Sequence, residues 1–146
     1  MEIVHMVDHS DWQSLRSSAI ARRHSGDIQG AVDDLTKAIG LSRAKPQLAE
    51  RTATMLNYLA DVYLECNALG EAEAAIRESI ELSRPGFPGL LAANLCGLAE
   101  ILSRKGEHRE ALGSAEEARQ LYQQQGHSYG VGQAEELIGR IRPNVG

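Results

Sequence analysis

GDIQGAVDDLTKAIGLS, residues 26–42, recurs in altered form as NALGEAEAAIRESIELS at residues 67–83 and as GEHREALGSAEEARQLY at residues 106–122. Each copy has an alanine five positions after its first residue, an apolar residue nine positions after it and a small residue twelve positions after it. The copies begin 41 and then 39 residues apart. A period of this length is typical of solenoids, in which each repeat is one supersecondary unit stacked on the next. Solenoids present extended binding surfaces, so the period also favours binding over catalysis.

The spacing of apolar residues predicts helices throughout the chain. Apolar residues recur every three or four positions, and no segment alternates strictly as a half-buried strand does. Ser10 or Asp11 is the expected N-cap of the first helix, Asp27 caps the second, and Pro46 opens the third. Because the turns are short, successive helices should be antiparallel neighbours. We predict seven helices, at about residues 12–24, 28–42, 46–66, 69–83, 90–104, 107–125 and 128–141.

Small residues recur on one face of the second helix of each copy. Small side chains allow a neighbouring helix to approach within the ~8–10 Å typical of packed helices. Two glycines, Gly97 and Gly139, are predicted to be further close-packing positions. The recurring small residues lie in pairs two helical turns apart, at Ala31 and Ala38, Ala72 and Ser79, and Ala111 and Ala118.

The helix before each copy also has a recurring feature, a leucine followed by a small residue, which we call the leucine–small pair. It is clear at Leu59-Ala60 and Leu98-Ala99, but the equivalent positions before the first copy are Ser18-Ala19, and Arg22 follows where the others are apolar. An N-terminal unit is expected to be atypical because one of its sides meets water.

Composition argues against several classes of function. The chain of 146 residues has a formal net charge of −5, and its basic residues are dispersed, so the basic surface of a nucleic-acid-binding protein is missing. No apolar run approaches the ~18 residues of a membrane span, and the acidic N-terminus does not begin like a signal peptide. Cys66 and Cys96 are expected to be reduced, partly buried thiols. We therefore expect a cytoplasmic protein that binds neither nucleic acid nor membranes.

No arrangement of residues points to catalysis. His5 and His9 have the spacing of two helical metal ligands, but no third His or Cys follows at ligand spacing, so we predict no metal site. The other histidines, His24, His108 and His127, fall at predicted helix boundaries, where polar residues are common. No glycine-rich loop follows a strand, and no Ser, His and Asp are placed as a triad. We predict no cofactor and no enzyme activity.

The repeats resemble those of the tetratricopeptide repeat (TPR) family. The features that match are the leucine–small pairs, the turn at Gly26-Asp27 with its counterparts at Asn67 and Gly106, and the paired small residues of the second helices. The likeness covers roughly Trp12 to Arg142. The repeat has ~40 residues rather than 34, and it looks like the longer units of large bacterial transcription regulators and kinesin light chains. Arginine outnumbers lysine twelve to three, which is typical of a GC-rich bacterial genome.

The resemblance implies an all-α fold, a right-handed superhelical solenoid of antiparallel helix pairs. It also implies a non-catalytic adaptor or scaffold that binds a peptide or helix of a partner protein. The boundaries that follow are residues 1–9 for an N-terminal extension, 10–43, 46–84 and 87–125 for three TPR units, and 128–142 for a C-terminal capping helix.

In such solenoids the first helix of each unit lines the concave surface. Each first helix has an apolar face that packs against its neighbours, which we call the packing stripe, and its residues outside this stripe are candidates for partner binding. The surface is predicted to be basic at its N-terminal end and acidic in the middle, which suits a segment of alternating charge. The main candidates are Arg16, Arg23, Asn57, Tyr58, Asp61, Glu65, Glu100, Arg104 and Arg140. The same faces add Gln13, Ile20, His24, Thr54, Ala93, Cys96, Gly97, Gln133 and Glu136.

Two other interpretations stay open. Three units and a lone last helix leave apolar edges that a homodimer would cover, and the last helix and the N-terminal segment are the candidate edges. Alternatively, the chain is a regulatory or sensory domain that binds a short signalling peptide, because regulators use such long units. The sequence names neither the partner nor a larger protein to which the chain could belong.

Overall fold

A computed structural model describes the backbone of residues 2–146 and the side chains from residue 11 onward. A short 3-10 helix, Pro46–Leu48, precedes the third α-helix, and another, Arg142–Asn144, follows the last. The described residues contain no strand, so the predicted all-α class is confirmed. The helices are α1 (Glu2–His24), α2 (Ile28–Arg43), α3 (Ala49–Glu65), α4 (Leu69–Ser83), α5 (Pro88–Arg104), α6 (His108–Gln124) and α7 (Ser128–Ile141).

The start of the first helix differs from the prediction. Helix α1 begins at Glu2 and not near Trp12, because the segment before Trp12 contains no glycine or proline that would stop a helix. The caps predicted at Ser10 or Asp11 therefore lie inside the helix. The side chains of the predicted extension, residues 1–9, lie outside the described residues, as do those of His5 and His9.

The helices form stacked pairs. The closest packing joins α1 to α2, α3 to α4 and α5 to α6, and a three-residue turn links the two helices of each pair. Each pair stacks on the next, and α7 packs against α6 at the end of the stack. Helix α5 also contacts both α3 and α7 directly, so α7 continues the layer of first helices. The architecture is an all-α solenoid.

The turn within each pair explains why every repeated stretch begins with Gly or Asn. The backbone angle φ is 89° at Gly26, 59° at Asn67 and 83° at Gly106, all in the left-handed region. Glycine enters this region freely because it has no Cβ, and asparagine is among the few other residues that tolerate it. The next helix then begins with a cap in the first pair, where the Asp27 carboxylate accepts a hydrogen bond of 3.0 Å from the Gly30 N–H.

The predicted close-packing residues of the second helices are confirmed. All six are fully buried. Ser79 replaces an alanine in its row, and its hydroxyl is satisfied because it donates a hydrogen bond of 2.6 Å to the carbonyl oxygen of Ala53. A polar atom therefore fits the interface between α3 and α4 without being left unpaired.

The prediction of close packing is confirmed for Gly97 and wrong for Gly139. A Cβ built on Gly97 would lie 3.2 Å from Cδ1 of Ile76, which confirms that α5 and α4 are in close contact there. Gly139 is exposed, and a Cβ added to it would meet no atom within 4 Å, because no further helix covers that side of α7. The glycine of α7 that does permit close packing is Gly130, which is buried against the ring of Tyr122.

In the first helix pair, α1 and α2, a polar network takes the place of the leucine–small pair. The Ser18 hydroxyl donates to the Asp34 carboxylate over 2.6 Å, and Arg22 Nε donates to the same oxygen over 3.0 Å. Arg22 also pairs with Asp27 at 2.7 Å. Helices α1 and α2 are thus joined by ionic and hydrogen bonds where the later pairs use leucine.

Candidate partner-binding surface

The described residues form a groove of about 430 Å³ across the layer of first helices. We call it the concave groove. Its walls come from α3, α5 and α7, and it contains nine of the residues that the sequence placed outside the packing stripe: Asn57, Asp61, Ala93, Cys96, Gly97, Glu100, Gln133, Glu136 and Arg140.

The floor of the concave groove consists of residues that sequence reasoning assigned to packing or did not single out. Helix α4 reaches the groove through Ile76 and helix α6 through Tyr122. Their contribution is visible only once the helices are stacked, because both lie on second helices. The floor residues are Ala60, Leu64, Ile76, Ile101, Tyr122 and Leu137.

A chain of hydrogen bonds fixes the orientation of Asn57 at the groove wall. The Asn57 amide Nδ2 donates to Asn94 Oδ1 over 2.7 Å, and Asn94 Nδ2 donates to the Ser83 hydroxyl over 3.0 Å. Ser83 in turn donates to the carbonyl oxygen of Ile80 over 3.2 Å. Asn94 and Ser83 are fully buried, so the chain runs from the interior to the groove. The sequence analysis did not single out Asn94.

The carboxylates of the groove differ in their partners. Asp61 pairs with Arg23 at 3.1 Å, and Glu100 pairs with Arg140 at 3.2 Å and with Arg104 at 3.4 Å. Glu136 forms no salt bridge with any residue whose side chain is described. The groove lining contains three carboxylates and one guanidinium. Arg23 and Arg104, beside the groove, pair with two of these carboxylates, so the uncompensated negative charge is that of Glu136.

The predicted basic end of the surface is largely neutralised. The Arg23 guanidinium lies 4.9 Å from the centre of the Tyr58 ring and also pairs with Asp61 and with Glu65, each at 3.1 Å. Arg16 lies 5.5 Å from the ring of Trp12, a cation–π distance. Arg16, Arg23, Tyr58 and Glu65 are not among the residues that line the concave groove.

Helix α3 and helix α5 are also joined next to the groove. Arg104 donates to the carbonyl oxygen of Leu64 over 3.4 Å, in addition to its contact with Glu100. Of the nine main candidates, the structure therefore brings four together in the groove. The other five are not among its lining residues: Arg16, Arg23, Tyr58, Glu65 and Arg104.

The thiol of Cys96 lines the groove in a neutral form. Burial raises its pKa to about 11, so it carries no charge at physiological pH. Burial likewise raises the pKa of the Tyr122 hydroxyl at the floor. Both cysteines are free in the structure, and Cys96 is partly buried as predicted. Cys66 is exposed, so the prediction that it is partly buried is wrong.

The described residues contain neither a cluster suited to a metal ion nor a helix suited to a membrane span. Among the side chains that are described, no group of three His, Cys, Asp or Glu is placed to hold a metal ion. Within residues 2–146, none of the helices combines the length and the apolar character that crossing a bilayer demands.

The apolar side chains of α7 face the interior of the chain. Leu137, Ile138 and Ile141 are buried, and the outward residues Arg142 and Glu135 lie within 4 Å of acidic and basic partners on α6. Tyr129 is the large apolar side chain of α7 that stays exposed, at 74%. The candidate dimer edge on the last helix thus offers less apolar surface than its composition suggested.

Comparison with protein-family models and with characterised protein sequences finds no match for this chain. Among solved structures, it is similar to BtubC (BKLC) from P. vanneervenii, with a TM-score of 0.69 and 16% identity over 91% of this chain and 62% of BtubC. It is also similar to MamA, with a TM-score of 0.61 and 15% identity over 98% of this chain and 83% of MamA. The chain thus spans less than two thirds of BtubC. At this level of identity the likeness shows a shared fold, and the chain is a helical-repeat protein.

Proposed function

We propose that this chain is a TPR-type interaction module, without catalytic activity, that binds a peptide or helix of a partner protein in the concave groove. The proposal joins the sequence resemblance to the geometry of the layer formed by α3, α5 and α7. The partner is a protein segment, because solenoids bind extended segments along the surface formed by their successive helices.

The observation that carries the proposal is the composition of the groove. Its floor is apolar and its walls hold oriented polar groups, the combination found in binding sites. The volume of about 430 Å³ accommodates a few side chains of a bound segment. Stacking does not require the wall residues to be polar, since Ala93 and Gly97 occupy equivalent wall positions without any polar group.

Site-specific photo-crosslinking tests the proposal. A photoreactive amino acid at Gln133, on the groove wall, is compared with one at Gln120, an exposed position on α6 outside the groove. In cells that express the chain, we expect a discrete crosslinked partner from Gln133 and not from Gln120. The substitution Ala93→Trp, which fills the groove from α5, should abolish that product.

The same experiment separates the alternatives. A crosslink from Gln133 to a second copy of this chain would favour the homodimer instead. Equal products from both positions, or a product that survives Ala93→Trp, would contradict binding in the groove. Circular dichroism of the Ala93→Trp protein establishes that its helices are intact.

A further inference from the structure

The hydrogen-bond chain behind Asn57 determines which group this residue offers to a ligand. Ser83 uses its proton to bond the Ile80 carbonyl, so it can only accept from Asn94 Nδ2. Asn94 must then present Oδ1 to Asn57, and Asn57 must turn Nδ2 inward. Its Oδ1 receives no hydrogen bond from any described residue. Asn57 therefore offers the groove its amide oxygen as a hydrogen-bond acceptor, beside the second hydrogen of Nδ2.

The other polar groups of the groove are also mostly acceptors. The carboxylates of Asp61, Glu100 and Glu136 accept hydrogen bonds. Asp61 already pairs with Arg23, and Glu100 with Arg104 and Arg140, so Glu136 is the groove carboxylate that has no salt bridge to a described side chain. The one guanidinium, that of Arg140, already bonds Glu100 over 3.2 Å. The occupant that complements this set is rich in donors and positively charged.

We propose that the partner segment places an Arg or Lys side chain in the concave groove, against the carboxylates of Glu136 and Asp61 and the amide oxygen of Asn57. This proposal rests on the proposed function and specifies the chemistry of the partner. Arg140 provides an internal example, since the chain itself already binds a guanidinium to Glu100 at this site.

The apolar floor fits the same occupant. Arginine and lysine have long aliphatic stems that bury well along apolar surface while the charged head meets polar groups. Ile76 and Leu137 supply such a surface beneath the carboxylates. An acidic side chain would instead meet the unpaired negative charge of Glu136 and the amide oxygen of Asn57, which cannot donate to it.

Peptide selection on the purified chain tests the proposal. Peptides are selected from a random display library, and those that lose binding to Ala93→Trp are scored as groove-dependent. Gln133→Trp, which fills the groove from α7, serves as a second blocking variant if Ala93→Trp does not fold. We expect the groove-dependent peptides to share an Arg or Lys at one position of their consensus.

Binding of the selected peptides is then measured by fluorescence anisotropy. Glu136→Gln should weaken binding about tenfold, and raising the salt concentration should weaken it further. Glu135→Gln is the matched control, because Glu135 is the adjacent carboxylate on α7 and lies outside the groove, 3.9 Å from Arg119. It should change binding less than about twofold.

The outcomes separate the two proposals. Groove-dependent peptides that share an acidic residue, or no charged residue, would overturn the assignment of a cationic partner and leave groove binding intact. Equal losses from Glu136→Gln and Glu135→Gln would overturn it as well. If no selected peptide depends on the groove, both proposals fail.

Discussion

The contact between Gly130 and the Tyr122 ring gives the sharpest test of how α7 is held on the solenoid. The first turn of α7 passes directly over the ring, and a Cβ added to Gly130 would overlap it, with three ring carbons as the nearest atoms. The site is rigid, because the Gly130 N–H also donates a hydrogen bond of 2.9 Å to Nδ1 of His127. Tyr122 is buried and its ring lies 5.1 Å from that of His127. Gly130→Ala should therefore displace α7.

The expected magnitude follows from two opposing effects. Replacing glycine by alanine within a helix stabilises it by about 1 kcal/mol, and by less in the first turn. Forcing an extra methyl group into a packed site costs about 1–3 kcal/mol. The ring cannot move easily, so we expect the steric effect to dominate, with a net loss of about 1–2 kcal/mol in the free energy of unfolding. For a chain of this size the melting temperature should fall by about 3–6 °C.

Two other glycines on the same helix provide the matched controls. A Cβ added to Gly132 or Gly139 would meet nothing within 4 Å, and both residues are exposed. Gly132→Ala and Gly139→Ala should each raise the free energy of unfolding by about 0.5–1 kcal/mol, since only helix propensity changes. Thermal unfolding followed by circular dichroism measures all three variants under the same conditions.

A double-mutant cycle isolates the contact. Tyr122→Leu lowers stability on its own, but it removes the ring that Gly130→Ala would strike. In that background Gly130→Ala should be nearly neutral or stabilising. The reasoning is refuted if Gly130→Ala raises the melting temperature as its two controls do, or if its effect is the same with and without the Tyr122 ring.

The remaining predictions concern a turn, a thiol and an ion pair. Asn67→Ala should lower the free energy of unfolding by about 1 kcal/mol, whereas Asn67→Gly should change it by only a few tenths, because φ at this turn is 59°. Near neutral pH, iodoacetamide should alkylate the exposed Cys66 far faster than Cys96, whose pKa burial raises to about 11; equal rates would show that Cys96 is not buried. Because the unfolded thiol ionises first, the wild-type chain should also lose stability relative to Cys96→Ser as the pH rises from 9.0 to 11. The hydrogen bond from Lys105 lowers the pKa of the Glu73 carboxyl in the folded chain. The stability that this carboxylate contributes is therefore present above pH 4.5 and is lost as the pH falls through the lowered pKa of the folded state. Urea unfolding should therefore show that Glu73→Gln is destabilised relative to wild type at neutral pH, and that the difference disappears in acid.

Periodicity was sufficient to predict the helices because each repeat has the same sequence features at its turns and in its helices. The left-handed residue at the start of each copy, the buried small residues and the cap at Asp27 are all local features. The start of α1 was predicted wrongly because its first turns contain no cap or breaker that a sequence pattern could detect. Gly139 was assigned to close packing because composition cannot tell whether another helix lies beyond α7.

The walls of the groove were predictable and its floor was not. Residues outside the packing stripe of a first helix must face either solvent or a groove, so Asn57, Glu100 and Arg140 could be selected from spacing together with the resemblance to TPR solenoids. The floor includes Ile76 and Tyr122, which belong to second helices and reach the groove only through the way in which the pairs stack. That depends on packing between units, which one repeat does not encode.

Comparison of equivalent positions in α3 and α5 gives a separate argument for the concave groove. Met55 is buried on α3, and Asn94 is buried at the equivalent position of α5, 39 residues later, where it contacts the second pair. An apolar residue satisfies this position in the first case, and burying an amide there would be unfavourable without partners. Asn94 has partners on both sides, and one of them is Asn57 at the groove wall. Departures from a local rule of the fold are expected where a protein binds or reacts. The repeat thus departs from its own pattern at the residue that orients Asn57, which supports the layer of α3, α5 and α7 as the surface of the proposed partner.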